Sequence, residues 1–339
     1  MLVDHHVHWY PPAFIETLVG RDRFPRAERA EDGGYIYEFD EEPLGSRWSF
    51  ARRFFDLDYQ LADMDEHGVD VSVLTPTVMG DVTRLELSEA RETLDLLNEE
   101  YSRAQREHPG RLRALAMLPL QDTSAALETL DHAIADLGLA GVCINTNVAG
   151  HSLGSDELLP VYRRIEELGV PIVLHPANRS LVFPTVKNAQ AGRVGEIGLG
   201  WVFETSLAAL SLIYSGTLDE CPNLTILHPH TGGVIPFLKG RLEVTSAFHS
   251  KELQLARPVG EYLRDQFYAD PASGSNPHMI ALAIETYGID HIVWGSDSPF
   301  LSRAPIHELL NKLDNTQADQ IRSNVLPGLD LATSSQTVP

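Results

Sequence analysis

The chain has 339 residues, of which 43% are apolar and 22% charged, and its formal net charge is −22 at pH 7. So acidic a protein is unsuited to nucleic acid or to an anionic membrane surface, because both require clustered lysine and arginine. No apolar stretch stands out as long enough to span a bilayer, no leader precedes the first apolar run, and the two cysteines, Cys143 and Cys221, form no disulfide framework. We therefore expect a cytoplasmic protein.

Short β-branched runs alternate with longer helical patterns for most of the chain. The strand candidates are residues 2–8, 69–75, 112–118, 140–145, 171–175, 224–228, 266–269 and 291–294. Between them, apolar residues recur at three- and four-residue spacing in residues 59–67, 88–107, 124–137, 157–168, 202–214 and 277–287. Eight strands alternating with helices predict an α/β fold, a single parallel (β/α)8 TIM barrel of residues 1–330, with a frayed tail at 331–339.

Two segments interrupt this alternation. Residues 10–57 follow the first strand directly and are rich in glycine, proline and charge, and residues 180–200 follow the fifth strand. Loops of this length in a compact domain are usually functional or disordered. In a barrel both would emerge at the catalytic face, so we expect an insertion after strand one and a second segment that act as lids or bind substrate.

Histidine and aspartate residues stand at the ends of several predicted strands. His6 and His8 end strand one, His175 ends strand five, His230 follows strand six and Asp297 follows strand eight. Barrel active sites form at these carboxyl ends from residues of several strands. Three imidazoles and a carboxylate suit one divalent ion with a position left for water or substrate, whereas burying so many polar groups without a partner would be costly.

The order of these motifs resembles the amidohydrolase superfamily. The motifs are Asp4-x-His6-x-His8, Leu174-His175-Pro176, His230-Thr231-Gly232-Gly233 and Gly295-Ser296-Asp297-x-Pro299-Phe300. Within the superfamily the sequence is most similar to the branch that contains aminocarboxymuconate-semialdehyde decarboxylase and the γ-resorcylate and carboxyvanillate decarboxylases. Residues 201–210 and 64–69 also fit that branch, so the resemblance extends from residue 2 to about residue 300.

The resemblance implies a role for each of these residues. His6, His8 and His175 would be metal ligands, and Asp297 would ligate the ion or relay a proton beside it. His230 would act on a bound water or on the substrate, a proton transfer that suits a histidine. The ion would be Zn²⁺ first and Mn²⁺ second, without an organic cofactor. A homodimer is the habit of the family.

An arginine is expected to hold a substrate carboxylate, since members of this branch take one from the segment before the motif at residues 64–69. Counting back from Met64 reaches Arg52 and Arg53, with Arg47 as a further candidate. An arginine fork binds a carboxylate through two parallel hydrogen bonds.

His228 departs from the family pattern, because it is an additional histidine two residues before His230. On an extended segment both would face the barrel interior, so His228 would lie either behind the site or in the core as a hydrogen-bonded residue, and we favour the core. The segment 323–328 also matches poorly the asparagine-alanine motif that usually ends the family.

The function that these residues predict is a metal-dependent, oxygen-independent decarboxylase of a small aromatic or muconate-type carboxylic acid. The alternative is a hydrolase or hydratase of a lactone, an amide or a conjugated keto-acid at the same site, because both chemistries use the ion, the water and the histidine. A third hypothesis is a barrel that has lost its chemistry and binds a ligand, against which the complete set of metal-type residues argues.

Overall fold

Parallel strands form a closed barrel in the computed structural model, which describes residues 1–41, 47–77, 81–178, 181–272 and 274–331. The strands are β1 Val3–Val7, β2 Arg26–Arg29, β3 Tyr35–Glu38, β4 Arg47–Phe50, β5 Val71–Leu74, β6 Leu112–Ala114, β7 Val142–Asn145, β8 Asn147–Val148, β9 His151–Ser152, β10 Ile172–His175, β11 Ile226–His228 and β12 Phe267–Ala269. Seven of them, β1, β5, β6, β7, β10, β11 and β12, belong to the barrel. They are buried along their whole length, as strands covered on both faces must be.

The barrel closes through single bridges between its sheets. Strands β1, β5 and β6 form one sheet and β7, β10, β11 and β12 another, and a bridge from Ala116 to Val142 joins them. On the other side, Ile292 bridges to Ala269 and Ser298 bridges to Val7. The predicted (β/α)8 fold is confirmed, although its eighth member is an extended segment with two bridges rather than a regular strand.

The helices cover the outside of the barrel. They are α1 Pro12–Leu18, α2 Leu57–Glu66, α3 Leu87–Glu107, α4 Thr123–Asp131, α5 Leu159–Leu168, α6 Phe183–Asn188, α7 Gly192–Gly195, α8 Trp201–Tyr214, α9 Thr217–Glu220, α10 Pro229–Gly232, α11 Ile235–Phe248, α12 Ser250–Leu253, α13 Val259–Gln266, α14 Pro277–Tyr287, α15 Ala304–Leu310 and α16 Asn315–Ser323. Local sequence sets their ends: Asn276 caps α14 by accepting from the backbone N–H groups of His278 and Met279, with Pro277 in the first turn.

The predicted insertion at residues 10–57 contains helix α1 and an antiparallel sheet of β2, β3 and β4. Tyr37 and Phe50 from this sheet are fully buried and belong to the same apolar core as the barrel strands. The insertion is therefore packed onto the barrel, and β4 brings Trp48 to the mouth of the barrel.

Helical structure also fills most of the segment that was expected to be a loop at residues 180–200; residue 180 itself lies outside the described ranges. A continuous helical run from Gly192 to Tyr214 is long and apolar enough by composition to cross a membrane, and 44% of its most apolar window is buried. The expectation that no apolar stretch reaches this length is therefore wrong. In the structure one face of the run packs on the barrel, with Ala209 and Ile213 buried in the core.

A bulge in β1 separates two groups of polar side chains. Asp4 pairs with Ser72 of β5, but Val7 pairs with Leu74, so three steps along β1 match two along β5. Ser72 and Leu74 are two residues apart on β5 and share a face, so their partners Asp4 and Val7 share the outer face of β1. His6 is next to Val7 and therefore points to the other side, into the barrel. The bulge thus directs an aspartate to the helices and a histidine two residues later to the interior.

Candidate active site

Four imidazoles and one carboxylate meet at the carboxyl ends of the barrel strands. The ring centroids of His6 and His8 are 5.0 Å apart, and that of His175 lies 5.0 Å from His8 and 5.6 Å from His6. The ring of His230 is 5.2 Å from that of His6. All four rings are buried, and Asp297 completes the group. The structure therefore brings together all the histidine and aspartate residues that the sequence pattern singled out.

Three of the imidazoles are oriented in the same way. In each ring, Nδ1 faces an oxygen. His6 Nδ1 lies 3.0 Å from Asp270 Oδ2, and His8 Nδ1 lies 3.0 Å from the Thr75 carbonyl. His175 Nδ1 lies 3.1 Å from the Pro176 carbonyl. Since these oxygens only accept, each Nδ1 carries a proton, and Nε2 is the atom of each ring that would bind an ion. Among the described residues, Nε2 of His6 is buried without any hydrogen-bond partner. This is the arrangement by which neighbouring groups orient histidine ligands toward a metal.

The protonation of these rings also suits a metal. Burial lowers the pKa of both His8 and His175, so both are neutral at pH 7. Burial also lowers the pKa of His6, but the Asp270 carboxylate, with Asp297 beyond it, outweighs this and raises it to about 9. Without an ion His6 is protonated, and a bound ion takes the place of that proton.

Asp297 connects the ligand-like histidines to His230. One carboxylate oxygen, Oδ1, is 3.0 Å from Nε2 of His8 and 3.8 Å from Nε2 of His6, and the other, Oδ2, is 3.8 Å from Nε2 of His230. Burial raises the pKa of Asp297, but His230 and His8 hold it well below the usual range, so this carboxylate is ionised. Its φ of 64° is unusual for aspartate, and the backbone is held there by a hydrogen bond from its N–H to the His6 carbonyl.

His230 is held differently from the three ligand-like histidines. It lies in the sharp turn α10, where His230 and Thr231 have φ values of 56° and 60°. Its backbone N–H donates to Asp270 Oδ1 at 3.0 Å, yet its Nδ1 is buried and has no partner in the described part of the chain. Its ring is therefore placed through the backbone, and Nε2 points toward Asp297.

Asp270 is the site residue that the sequence analysis missed. Its side chain is fully buried and joins three elements, since it accepts from His6 Nδ1 and from the backbone N–H groups of His230 and Ala272. Burial raises its pKa, but the neighbouring His6 and His230 outweigh this and lower it. The signal available in the sequence was its position directly after predicted strand seven, at the same face as the histidines.

His228 faces away from the site. His228 pairs with Ala269 and therefore points to the same side of the sheet. Ala269 precedes Asp270, which points inward, so Ala269 and His228 point outward and the ring of His228 lies among the helices. A Cβ on Gly233 would lie 2.5 Å from the Val202 carbonyl and 3.1 Å from His228 Nε2, which shows how closely the ring packs against α8. The expectation that His228 faces the interior is wrong, because the backbone turns sharply at His230. Neither ring nitrogen has a hydrogen-bond partner in the described ranges, so the hydrogen-bonded core role is also not observed.

An aromatic cavity of about 470 Å³ opens above the cluster. Its walls include His175, His230 and Asp297 together with Trp48, Trp201 and Phe300. The two indole rings stack with centroids 5.9 Å apart, and Phe300 packs edge-on against His8 at 5.2 Å. This space suits a flat, conjugated molecule whose polar end reaches the histidines.

The three arginines expected to bind a carboxylate do not line this cavity. Arg47 pairs with Glu28 and Glu38 on the insertion sheet, because Glu38 is its cross-strand neighbour. Arg52 is exposed and pairs with Asp56.

The remaining arginine candidate, Arg53, donates to the Pro299 carbonyl at 3.1 Å and lines a separate cavity of about 270 Å³. An arginine that was not among the sequence candidates packs on the aromatic wall. Arg193 has its guanidinium carbon 3.9 Å from the ring centre of Trp48.

The donor set fits a divalent transition metal. Nitrogen atoms of His6, His8 and His175 lie within 4.8 Å of one another, and so do donor atoms of His6, His230 and Asp297. Imidazole nitrogens with one carboxylate are typical ligands of Zn²⁺, Mn²⁺ and Fe²⁺. The buried, unpartnered Nε2 of His6 supports this fit, because a metal would satisfy it. Fold and donor set together define a metal-dependent barrel enzyme.

Comparison with known proteins identifies the family. The amidohydrolase family profile matches residues 3–327. The γ-resorcylate decarboxylase of Rhizobium sp. (strain MTP-10005) is 30% identical over 298 residues, which cover 82% of this chain and 88% of that protein. The 2-amino-3-carboxymuconate-6-semialdehyde decarboxylase of Dictyostelium discoideum is 27% identical over 267 residues, which cover 76% of this chain and 69% of that protein. The chain belongs to the amidohydrolase family.

Solved structures agree in fold. The IDCase of Metarhizium anisopliae in its apo form superposes with a TM-score of 0.84 at 24% identity over 95% of both chains. A dihydroxybenzoic acid decarboxylase from Polaromonas sp. JS666, with bound manganese and the inhibitor 2-nitroresorcinol, gives a TM-score of 0.77 at 21% identity over 95% of this chain and 94% of that one.

Proposed function

We propose that this protein is a metal-dependent, oxygen-independent decarboxylase of a small aromatic or muconate-type carboxylic acid. The observation that carries the proposal is the convergence of nitrogen atoms from three imidazoles beneath a cavity walled by aromatic rings. It is supported by relatives that are decarboxylases and whose sequences match most of the length of this chain.

Each residue of the cluster has a task in this reaction. His6, His8 and His175 would hold the ion, with Asp297 at or beside it. When bound, the metal supplies positive charge that polarises a carboxylate and stabilises the negative charge developing as carbon dioxide leaves.

His230 manages the proton. Its Nε2 lies 3.8 Å from the ionised carboxylate of Asp297, and from this position the imidazole can deliver a proton to the substrate carbon as the carbon–carbon bond breaks. No described residue bonds to its Nδ1, so the ring lacks the hydrogen bond that fixes each of the other three histidines. The aromatic wall excludes water, which would otherwise compete as a proton source and weaken the field of the site.

The finer assignments are further proposals. We propose Zn²⁺ first and Mn²⁺ second as the ion, supported by the histidine-rich donor set and, for manganese, by the Polaromonas relative. A homodimer is supported by exposed apolar side chains on the outer helices, Val194 at 84%, Phe237 at 82% and Phe248 at 88%. A cytoplasmic location is supported by two cysteines that are free and buried.

The test combines elemental analysis of the purified protein with carbon dioxide release from a panel of hydroxybenzoic and muconate-type acids. We expect about one divalent ion per chain and carbon dioxide release that stops when a chelator removes the ion. A metal-loaded protein that releases no carbon dioxide but opens lactones or hydrates keto-acids would replace the proposal with the hydrolytic alternative. A protein that stays metal-free after reconstitution would reject both.

A further inference from the structure

Asn145 is a buried amide that bonds to nothing in the described ranges. The residue is 2% exposed, and both Nδ2 and Oδ1 of its side chain are buried without a hydrogen-bond partner. A buried polar atom left unpaired destabilises the fold, because it has given up its hydrogen bonds to water. Buried polar atoms are nearly always bonded in folded proteins, so a residue with two open ones calls for an explanation.

The position of Asn145 places it beside the candidate metal centre. It is the last residue of β7, and its register partner on the neighbouring strand β10 is His175. Residues paired in parallel strands point to the same side of the sheet, so the amide enters the barrel interior next to the imidazole of His175. A hydrogen bond from the Thr146 N–H to the His175 carbonyl, 3.0 Å long, continues the pairing past this point.

A second buried asparagine shows what a structural amide looks like in this protein. Asn98 on α3 is 1% exposed, its Nδ2 donates to the Met117 carbonyl at 3.1 Å, and its Oδ1 accepts from the Met117 N–H at 3.0 Å. Both residues are buried asparagines, but the fold provides hydrogen-bond partners only for the side chain of Asn98 among the described residues. Asn98 stabilises the fold, whereas Asn145, beside His175 on the inner side of β7, has neither its donor nor its acceptor bonded within the described ranges.

We propose that Asn145 is a substrate-binding residue that recognises a hydroxyl group beside the carboxyl group of the acid. A hydroxyl donates one hydrogen bond and accepts others, so it can satisfy both atoms of the amide together. This inference rests on the proposed function, because it assumes that a carboxylic acid occupies the cavity above His175. It adds a determinant of substrate choice that the arginines Arg47 and Arg52 do not provide, since both are paired elsewhere.

The test uses the metal-loaded protein and two probes, 2,6-dihydroxybenzoate and benzoate, whose dissociation constants are measured by calorimetry. We expect the wild type to bind the dihydroxy acid more tightly, and Asn145→Leu to reduce that preference about tenfold, the effect of losing one or two neutral hydrogen bonds. The melting temperature of Asn145→Leu should be unchanged or higher, because no hydrogen bond is lost and leucine is nearly the same size. Metal content should be unchanged.

Asn98→Leu is the matched control, and it should lower the melting temperature while leaving the preference for the dihydroxy acid unaltered. The proposal is overturned if Asn145→Leu melts lower, as Asn98→Leu does, or fails to fold, since the amide would then be structural. It is also overturned if the wild type does not discriminate between the probes or if the variant discriminates equally well. Calorimetry detects binding whether or not turnover follows, so a protein that discriminates but releases no carbon dioxide would reject the decarboxylase function and leave the role of Asn145 standing.

Discussion

The two faces of strand β1 carry polar residues of opposite kinds. On the outer face, Asp4 accepts from the Ser296 N–H, the Ser296 hydroxyl and the Arg303 guanidinium. His5 is bonded at both ring nitrogens, to the Trp294 carbonyl and to the Leu326 N–H. On the inner face, His6 keeps its Nε2 open and His8 directs its Nε2 to Asp297.

The difference teaches how to separate structural from functional polar residues in this chain. Burial is equal on both faces, since Asp4, His6 and His8 are all 0% exposed and His5 is 1% exposed. The outer residues have every polar atom satisfied within the fold, so they contribute stability. On the inner face, Nδ1 of His6 and of His8 is fixed by Asp270 and by Thr75. Nε2 of His6 has no partner within the described ranges and Nε2 of His8 meets the Asp297 carboxylate, so an ion between them would complete both rings. Five substitutions, two of them with a matched control, test this contrast.

The largest effect is expected for the inner face and its partner His230. His6→Ala should lose both the metal and the turnover, because an open ligand nitrogen is removed. His230→Ala should keep about one ion per chain and lose turnover by about 10²–10⁴-fold, the usual worth of a proton-transfer residue. Elemental analysis and carbon dioxide release on the same preparations measure both. A His230→Ala protein that is purified without metal would make His230 a ligand.

The outer face should respond in stability rather than in chemistry. Arg303→Met removes the partner of buried Asp4 and breaks the ion pair with Asp63, so we expect the free energy of unfolding to fall by about 3–5 kcal/mol. Urea denaturation measures it. The control is Arg322→Met on α16, whose exposed pair with Asp319 should be worth less than about 1 kcal/mol. Equal losses in the two variants would mean that the buried network is not stabilising.

Glu204 is an intermediate case, with one oxygen bonded and one open. Its Oε1 accepts from Asn147 Nδ2 at 2.6 Å and its Oε2 has no partner in the part of the chain described. Burial raises its pKa from 4.5 to about 7, so folding favours the protonated form. The free energy of unfolding should therefore fall as pH rises from 4.5 to about 7, by up to about 3 kcal/mol at 1.4 kcal/mol per pKa unit.

Glu204→Gln stays neutral and keeps an oxygen for Asn147. We expect it to match the wild type near pH 4.5 and to be more stable by up to about 3 kcal/mol at pH 8, as measured by urea denaturation across this range. A constant difference between the two proteins at all pH values would show that Glu204 does not titrate in this window.

The smallest effect is expected for Asp270, which supports the inner face without being a ligand in our assignment. Asp270→Asn keeps an oxygen for His6 Nδ1 but removes the charge that makes that ring more basic, so metal affinity should fall about 10–100-fold. Competition with a chelator measures it, and the exposed Asp290→Asn serves as the control. Unchanged affinity would show that the carboxylate only orients the backbone of His230.

The gathering of the cluster could be predicted because it depends on local patterns. His6, His175 and Asp297 each end an apolar run, and barrel closure brings such ends together whatever the loops do. Periodicity of two and of three to four residues was enough to find the barrel strands and the helices between them.

What could not be predicted depends on long-range register or on a single backbone angle. Arg47 was expected at the site, but the pairing of β3 with β4 sets it opposite Glu38. Asp270 follows a strand of only three residues, and its position there could not show that its carboxylate meets His6 and His230, which lie far away in the sequence. His228 was expected to point inward because alternation was continued to His230, where the backbone has φ of 56°.

The wall of the aromatic cavity has a consequence for how such a protein diversifies. Trp48 comes from the insertion after β1, and Trp201 comes from the segment after β10. Neither segment contributes an atom to the candidate ligand set. Mutations in these two segments can thus change which acid is accepted while the inherited chemistry is left intact. One ancestral barrel could in this way give rise to enzymes for many related acids.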